Sequence, residues 1–364
     1  MNPFRFGSVV SGEYFTDRKK EIKEIVSEIK AGQHIVVMSP RRYGKTSLVN
    51  EAMKASRAKG FRINMELIAD EVDLANYYVR GALSLSKFEK IKYYLRTLKV
   101  QPYIQIQPGT NEISVSFNTE IRNIPAILSD SFQLPEIIAR NMKKKIVIVF
   151  DEFQEIRRIS PSLERKMRGI FQYHQNITYI FIGSQESMIR EIFQNKKNPF
   201  YKFGRHITLQ KIPRDEFADF IIERFSSQKI DARGVVEDIL EFTDCHPYYT
   251  QQLCHEIYIL NEKKTLTKEI INRAIDQITT EHHADYSRWW NSLTNTERKV
   301  IIGIASGDCN PTSQEFIRKY GISSASTSGS VISKLTASGT LVKKNGKKVE
   351  IEDPFWREWI LKNR

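Results

Sequence analysis

The chain has 364 residues, 40% hydrophobic and 27% charged, a balance that excludes a disordered or fibrous protein and leaves room for two or three folded domains. Lys and Arg outnumber Asp and Glu by 56 to 43, and the resulting charge of +13 favours acidic partners such as nucleotide, nucleic acid or a membrane surface without choosing among them. No apolar run approaches the roughly 20 residues of a membrane span, residues 1–6 lack the apolar core of a signal peptide, and Cys245, Cys254 and Cys309 fit neither a zinc pattern nor a disulfide framework. A cytoplasmic protein without a membrane span is expected.

Asp17 is placed to cap a helix over residues 18–31 that Gly32 closes, with Ile22, Ile25, Val26 and Ile29 at helical spacing toward a core. Residues 35–38 form a short apolar run, as a central parallel strand needs. It leads into Ser-Pro-Arg-Arg-Tyr-Gly-Lys-Thr-Ser at 39–47, close to the phosphate-loop pattern G-x-x-x-x-G-K-[ST]. A helix is expected from about Gly44. In such a loop, backbone N–H groups of the turn and helix start face phosphates. Lys45 then reaches the β- and γ-phosphates, and the Thr46 hydroxyl ligates magnesium. Ser39 stands where the pattern has glycine, and it is strained if that position takes a positive φ.

Residues 62–67 read as a second strand and 73–98 as mostly helical. Alternation over 103–106 and 113–117, around Pro-Gly-Thr-Asn, predicts a β-hairpin. A helix through Ile137 and Ile138 precedes Ile-Val-Ile-Val-Phe-Asp-Glu at 146–152, a buried strand ending in an acidic pair. Lys143, Lys144 and Lys145 read as its solvated entrance. Asp151 is expected to hold magnesium, and Glu152 to orient and deprotonate an attacking water. Strands at 179–182 and 206–209 complete the set. Strands alternating with helices predict an α/β fold, a three-layer parallel sheet, over residues 1–212, and the loop at 39–47 with the acidic strand makes it a P-loop ATPase core.

Residues 213–285 show no strand pattern. Phe217, Phe220, Ile221 and Phe225, then Val235, Ile239, Leu240 and Phe242, make two apolar helical faces, predicting a helical lid. Over 286–364, a capping box at Thr294 and Glu297 opens a helix through Val300, Ile301 and Ile304. A short helix from Thr312 to Tyr320 and a third over 324–338 follow. A hairpin over 341–351, with Asn345-Gly346 as a type I′ turn, completes a C-terminal winged helix.

Taken together these landmarks resemble the archaeal and bacterial ATPases of the STAND clade, AAA+-like proteins related to origin-recognition ATPases and NLR-type switches. Phe15, Arg18, Glu21 and Ile22 are similar to the box that packs near the adenine. Residues 40–47 are similar to the family's phosphate loop, residues 150–154 to its magnesium and catalytic strand, and Phe203-Gly204-Arg205 to its Gly-Arg element. Residues 245–249 are similar to the G-x-P box of its lid, with Cys245 in place of glycine. The resemblance implies ATP or ADP and Mg2+ as ligands. Phe15, Arg18, Pro40, Arg41, Arg42, Tyr43, Gly44, Lys45, Thr46 and Ser47 would then surround the nucleotide. Ser184, or Gln185 beside it, would sense the γ-phosphate from a strand lying between the loop strand and the acidic strand. Arg205 would meet transition-state charge, in cis or across a subunit contact. His246 and Pro247 would touch the nucleotide from the lid. Plainer alternatives are a strand-end cap for Ser184, a surface ion pair for Arg205, a structural role for His246 and solvation for Arg41 and Arg42.

Two functional classes fit. One is an ATP-driven switch whose nucleotide state sets the arrangement of core, lid and winged helix and controls a protein partner or an oligomer. The other is a DNA-binding ATPase that grips phosphates with Lys343, Lys344, Lys347 and Lys348 of the wing. Its would-be recognition helix carries Lys334 but no Arg, Asn or Gln, so DNA binding would be non-specific and salt-dependent. A kinase-like transferase is a third class. No substrate motif supports it, and Asp151 with Glu152 fits water activation better.

Overall fold

Residues 1–16, 18–85, 88–96, 98–106, 113–117, 123–262, 265–308, 310–344 and 348–364 are described by the computed structural model, residues 88, 89, 91, 92, 106, 343 and 344 by backbone alone. Contacts divide the chain into two units, Arg18–Gln210 and a second made of Met1–Asp17 with Lys211–Arg364.

In the unit Arg18–Gln210 the strands are, in chain order, β1 (Ile35–Met38), β2 (Lys59–Asn64), β3 (Tyr103–Ile106), β4 (Ile113–Ser116), β5 (Ile146–Asp151), β6 (Ile177–Gly183) and β7 (Arg205–Thr208). Five of them form a parallel sheet in the order β2-β5-β6-β1-β7, with β6 between β1 and β5. The inner strands β1, β5 and β6 are buried along their whole length, which accounts for their unbroken apolar runs. Side chains alternate between faces. Val36, Met38, Ile148, Phe150, Tyr179 and Phe181 join one hydrophobic cluster, while Ile35, Val37, Val147, Val149, Ile180 and Ile182 are buried outside it. The first cluster is filled by aromatic rings, with Phe171 stacked on Tyr179 at 4.1 Å between centroids. Helices Glu71–Ser84 and Ile124–Met142 contribute Tyr78 and Phe132 to it, whereas Lys19–Ala31 packs against Lys45–Ser56. Strands β3 and β4 pair antiparallel as a separate hairpin; residues of its turn lie outside those described.

Several boundaries differ from the expected ones. Helix Lys19–Ala31 is preceded by Arg18, which makes no side-chain cap, and Gly32 closes it at φ +80°; the expected cap, Asp17, lies outside the described residues. The second strand ends at Asn64, because its side chain accepts from the Glu66 N–H and turns Met65–Leu67 into a 3-10 helix. The helical stretch expected over 73–98 is two helices, Glu71–Ser84, capped by Asp70, and Phe88–Leu95.

In the other unit, helices Arg214–Ser226, Val236–Thr243, Pro247–Leu260 and Lys268–Glu281 form the lid region, and His283–Ser292 follows. The winged helix consists of Asn295–Ala305, Gln314–Tyr320, Ala325–Ala337 and the antiparallel strands β8 (Leu341–Lys344) and β9 (Lys348–Ile351). The Thr294–Glu297 capping box forms as expected. The following helix is capped by Ser313, not Thr312, through Ser313 Oγ and the Phe316 N–H. Helix Pro354–Asn363, unassigned from sequence, buries Trp356 and Trp359. The N-terminal residues belong here: Phe4 is buried against Phe225, with ring centroids 4.7 Å apart. One hydrophobic cluster runs from Phe4 through the lid to Ile360. The Asn345-Gly346 turn and Cys309 lie outside the described residues. No helix among the described residues is long and apolar enough to cross a membrane.

Candidate nucleotide-binding site

The register of the sheet aligns the C-terminal ends of its inner strands. Met38 lies opposite Gly183, and the end of β5 follows one strand further on. The loops leaving β1, β5 and β6 therefore open on one edge, where the crevice of an open parallel sheet takes its ligands.

Ser39 is buried at the end of β1 and has no positive φ; the left-handed residues of this loop are Arg42 at φ 67° and Gly44 at φ 81°. The serine is therefore accommodated without strain. A Cβ at Gly44 would meet nothing within 4 Å, so glycine is favoured there by backbone conformation rather than by space. Lys45 opens helix Lys45–Ser56 and is buried. Its Nζ donates to the carbonyls of Ser39 at 2.8 Å and Pro40 at 2.7 Å, folding the side chain across the loop. Burial pulls the Lys45 ammonium down to about 8, while the carboxylates of Glu152 and Asp151 work to keep it charged.

Thr46 Oγ1 donates to Asp151 Oδ2 at 2.9 Å. Burial raises the Asp151 carboxyl, and the Thr46 hydrogen bond opposes the shift. Arg62 of β2 adds a longer contact of 3.7 Å to the same oxygen. A hydroxyl and a carboxylate at the mouth of a phosphate loop make a hard-oxygen donor set, and that chemistry fits magnesium, which takes one or two carboxylates and completes its shell with phosphate and water.

Glu152 sits at φ 51°, a left-handed turn that breaks the strand. Its Oε2 accepts from Ser184 Oγ at 2.6 Å, Ser184 N–H at 3.1 Å and Gln154 Nε2 at 2.7 Å. Ser184 thus lies at the end of the strand between β1 and β5, as expected, but its hydroxyl is spent on Glu152. Gln185 is exposed beside it. Arg18 is buried and braces the loop from behind: one nitrogen donates to the carbonyls of Tyr43 at 3.2 Å and Gln210 at 3.0 Å, and another pairs with Glu21 at 3.0 Å. Tyr43 and Ser47 are buried; Arg41 is exposed and pairs with Glu66 at 3.1 Å, and Arg42 is exposed.

Four expected site residues are not brought to this edge by the contacts of their own unit. Arg205 begins β7 opposite Ile35, at the far end of the strands from the loop. It pairs with Glu24 and Glu28 at 2.7 Å each. Its expected action on transition-state charge in cis is therefore corrected to a surface ion pair. Phe15, His246 and Pro247 belong to the other unit. Both ring nitrogens of His246 are occupied. Nδ1 accepts from the N–H groups of Tyr248 and Tyr249, capping helix Pro247–Leu260, and Nε2 lies 3.1 Å from Glu352 just past β9. This buried histidine ties the helix Pro247–Leu260 to the residue just past β9 within its own unit. Cys245 takes φ 54°, the conformation for which the G-x-P box has glycine. Sequence reasoning missed Gln154 and Arg62. The signal for Gln154 was its place two residues after Glu152; Arg62 carried none, because only the β2–β5 pairing brings it near Asp151.

Residues 15–253 match the family described as "ATPase domain predominantly from Archaea", and residues 284–362 match one described as "Probable winged helix domain". A comparison with curated protein sequences finds no match. Among solved structures, a Walker-type ATPase of Pyrococcus abyssi is similar at 16% identity and a TM-score of 0.66, covering 96% of this chain and 97% of that one. The ORC2 protein of Aeropyrum pernix, in ADPNP–ADP complexes, is similar at 12% identity and 0.58, covering 99% and 98%. The ORC1 protein of Aeropyrum pernix, in complex with DNA, is similar at 12% identity and 0.51, covering 98% and 96%. At these identities the likeness is one of fold.

Proposed function

The chain belongs to the family of ATPase domains found predominantly in Archaea, and we propose that it is a magnesium-dependent, STAND-type switch that binds and hydrolyses ATP. The observation that carries this reading is the convergence, on one sheet edge, of Lys45, the Thr46–Asp151 hydrogen bond and the Glu152–Ser184 hydrogen bonds. Lys45 exchanges its loop carbonyls for the β- and γ-phosphates, and the backbone N–H groups of the loop and helix start take the remaining phosphate oxygens. Thr46 and Asp151 would hold magnesium, which would supply neutralisation of phosphate charge there. Glu152 orients a water and accepts its proton as the oxygen attacks the γ-phosphorus, leaving ADP and phosphate. Arg18, which braces the loop through the Tyr43 carbonyl, keeps it shaped for the nucleotide. The division into core, lid and winged helix gives the switch its moving parts, and nucleotide state controls a protein partner or an oligomer.

The test is to release and identify nucleotide from the purified chain, then to measure magnesium-dependent ATP hydrolysis with and without duplex DNA. ADP or ATP in the released fraction and turnover abolished by chelation are expected. A chain that neither carries nor binds adenine nucleotide would overturn the reading.

A second reading, an ATPase that binds DNA non-specifically, is supported by the winged-helix match and by the likeness to a protein solved with DNA. One observation limits its form. Lys334, the only cation of the would-be recognition helix, pairs at 2.6 Å with the buried Glu297. That helix then offers hydroxyls rather than base-reading side chains, and grip falls to the wing, where β8–β9 pairing sets Lys344 opposite Lys348.

A further inference from the structure

We propose that Gln154 is a positioning residue for Glu152, holding one carboxylate oxygen so that the other is left to take the proton from water. The inference rests on the reading of Glu152 as the base. Gln154 lies in the 3-10 turn Phe153–Glu155 and is fully buried. Its Nε2 donates to Glu152 Oε2 at 2.7 Å, alongside both Ser184 donors, so that three hydrogen bonds converge on a single oxygen. The opposite amide orientation would set two acceptors face to face, so only this one is chemically allowed.

The other end of the amide shows why the residue is kept. Gln154 Oε1 is buried without a hydrogen-bond partner among the described residues. It lies against Gly183, where an added Cβ would come within 2.8 Å of it. A buried, unpaired amide oxygen loses its hydration with nothing in return. Methionine or leucine would fill the same enclosed volume without that cost, so packing alone gives no reason for glutamine. What glutamine adds is the N–H on Glu152. The left-handed backbone at Glu152 makes this anchor necessary, because φ 51° takes the residue out of the strand and leaves its side chain to be held by neighbours rather than by sheet packing. Ser184 supplies the anchor from just past β6 and Gln154 from the turn beyond β5, fixing the carboxylate in two directions.

The test is Gln154→Met, which keeps length and burial and removes the donor. The expected result is a fall in kcat of roughly tenfold or more, up to the roughly 10²–10⁴-fold that a general base contributes in all, with affinity for a non-hydrolysable ATP analogue changed less than twofold and no loss of thermal stability. Gln154→Glu, which sets a second carboxylate against Oε2, should lose more activity than Gln154→Met. In a Glu152→Gln background, adding Gln154→Met should leave single-turnover hydrolysis unchanged within twofold, because a residue acting through Glu152 has nothing left to position. The inference is overturned if Gln154→Met hydrolyses ATP within twofold of the wild-type chain, or if it costs the same factor with and without Glu152. Absence of wild-type turnover would overturn the hydrolase reading, and this inference with it. Turnover lost in Glu152→Gln but kept in Gln154→Met would overturn this inference alone.

Discussion

Lys45 carries the most concentrated consequence of any single side chain. It is a buried ammonium brought down to about 8 by desolvation and held by two loop carbonyls. Such a charge is retained where an anion will meet it, and Lys45→Ala should remove nucleotide binding, losing at least roughly tenfold in affinity, the worth of one charge-assisted hydrogen bond of about 1.5–3 kcal/mol. Titration with a fluorescent ATP analogue reads this directly, and wild-type affinity in the variant would dismiss the phosphate-loop assignment. Glu152→Gln should instead keep nucleotide and lose turnover, since the amide cannot take a proton, whereas Asp151→Asn should weaken the magnesium dependence of binding. Lys45, Thr46, Asp151 and Glu152 were legible in sequence because the loop and acidic-strand patterns are local. Arg205 and His246 were not. Their partners, Glu24 and Glu28 for the one and Glu352 for the other, lie far away in the chain and are brought near only by folding.

At the scale of elements, strands and helices followed from periodicity, while their ends were decided by side-chain hydrogen bonds. Asn64, Asp70 and Ser313 each accept from backbone N–H groups at an element start, and each moved a boundary from where pattern alone would set it. The wing is the element whose function is most open to test. The helix Ala325–Ala337 is tied to Glu297 through Lys334, so, if the chain binds DNA, removing Lys343, Lys344, Lys347 and Lys348 together should weaken binding of two unrelated duplexes about equally. The slope of log affinity against log salt should fall by roughly 0.9 for each phosphate that the wing no longer neutralises. Tight binding of one sequence that survives the four substitutions would dismiss the phosphate-gripping wing. No DNA binding by the intact chain in any nucleotide state would favour the switch, with the winged helix as a regulator or a protein-docking surface.

For the molecule as a whole, two histidines, the buried His174 and the half-buried His34, set a pH limit. His34 Nδ1 accepts from the Tyr179 N–H at 3.2 Å, and His174 Nδ1 lies 2.7 Å from the Tyr179 hydroxyl. Burial lowers both to about 4; the Arg168 guanidinium adds to the effect on His34, and Glu136 opposes it on His174. Between the ordinary histidine value near 6.5 and about 4, the unfolded chain binds these protons and the folded chain does not. Stability is therefore full above that window and is lost as pH falls through it. Melting temperatures between pH 7 and pH 5 should decline, and a His34→Gln, His174→Gln double variant should decline less steeply; parallel curves would dismiss the assignment.

The sequence by itself determined the α/β class, the phosphate loop and its acidic strand, the lid and the winged helix. Each is written in contiguous residues whose spacing reflects backbone geometry, a period of two in strands, of 3.6 in helices, and a glycine where the loop turns left-handed. Only the tertiary structure decided that Met1–Asp17 groups with the lid and winged helix. It alone set Arg205 at the far end of the sheet, placed His246 between lid helix and wing, and brought Ser184 and Gln154 together on one oxygen of Glu152. Those facts depend on strand order and on which buried polar groups find partners across the fold, and neither is encoded in any short stretch of chain.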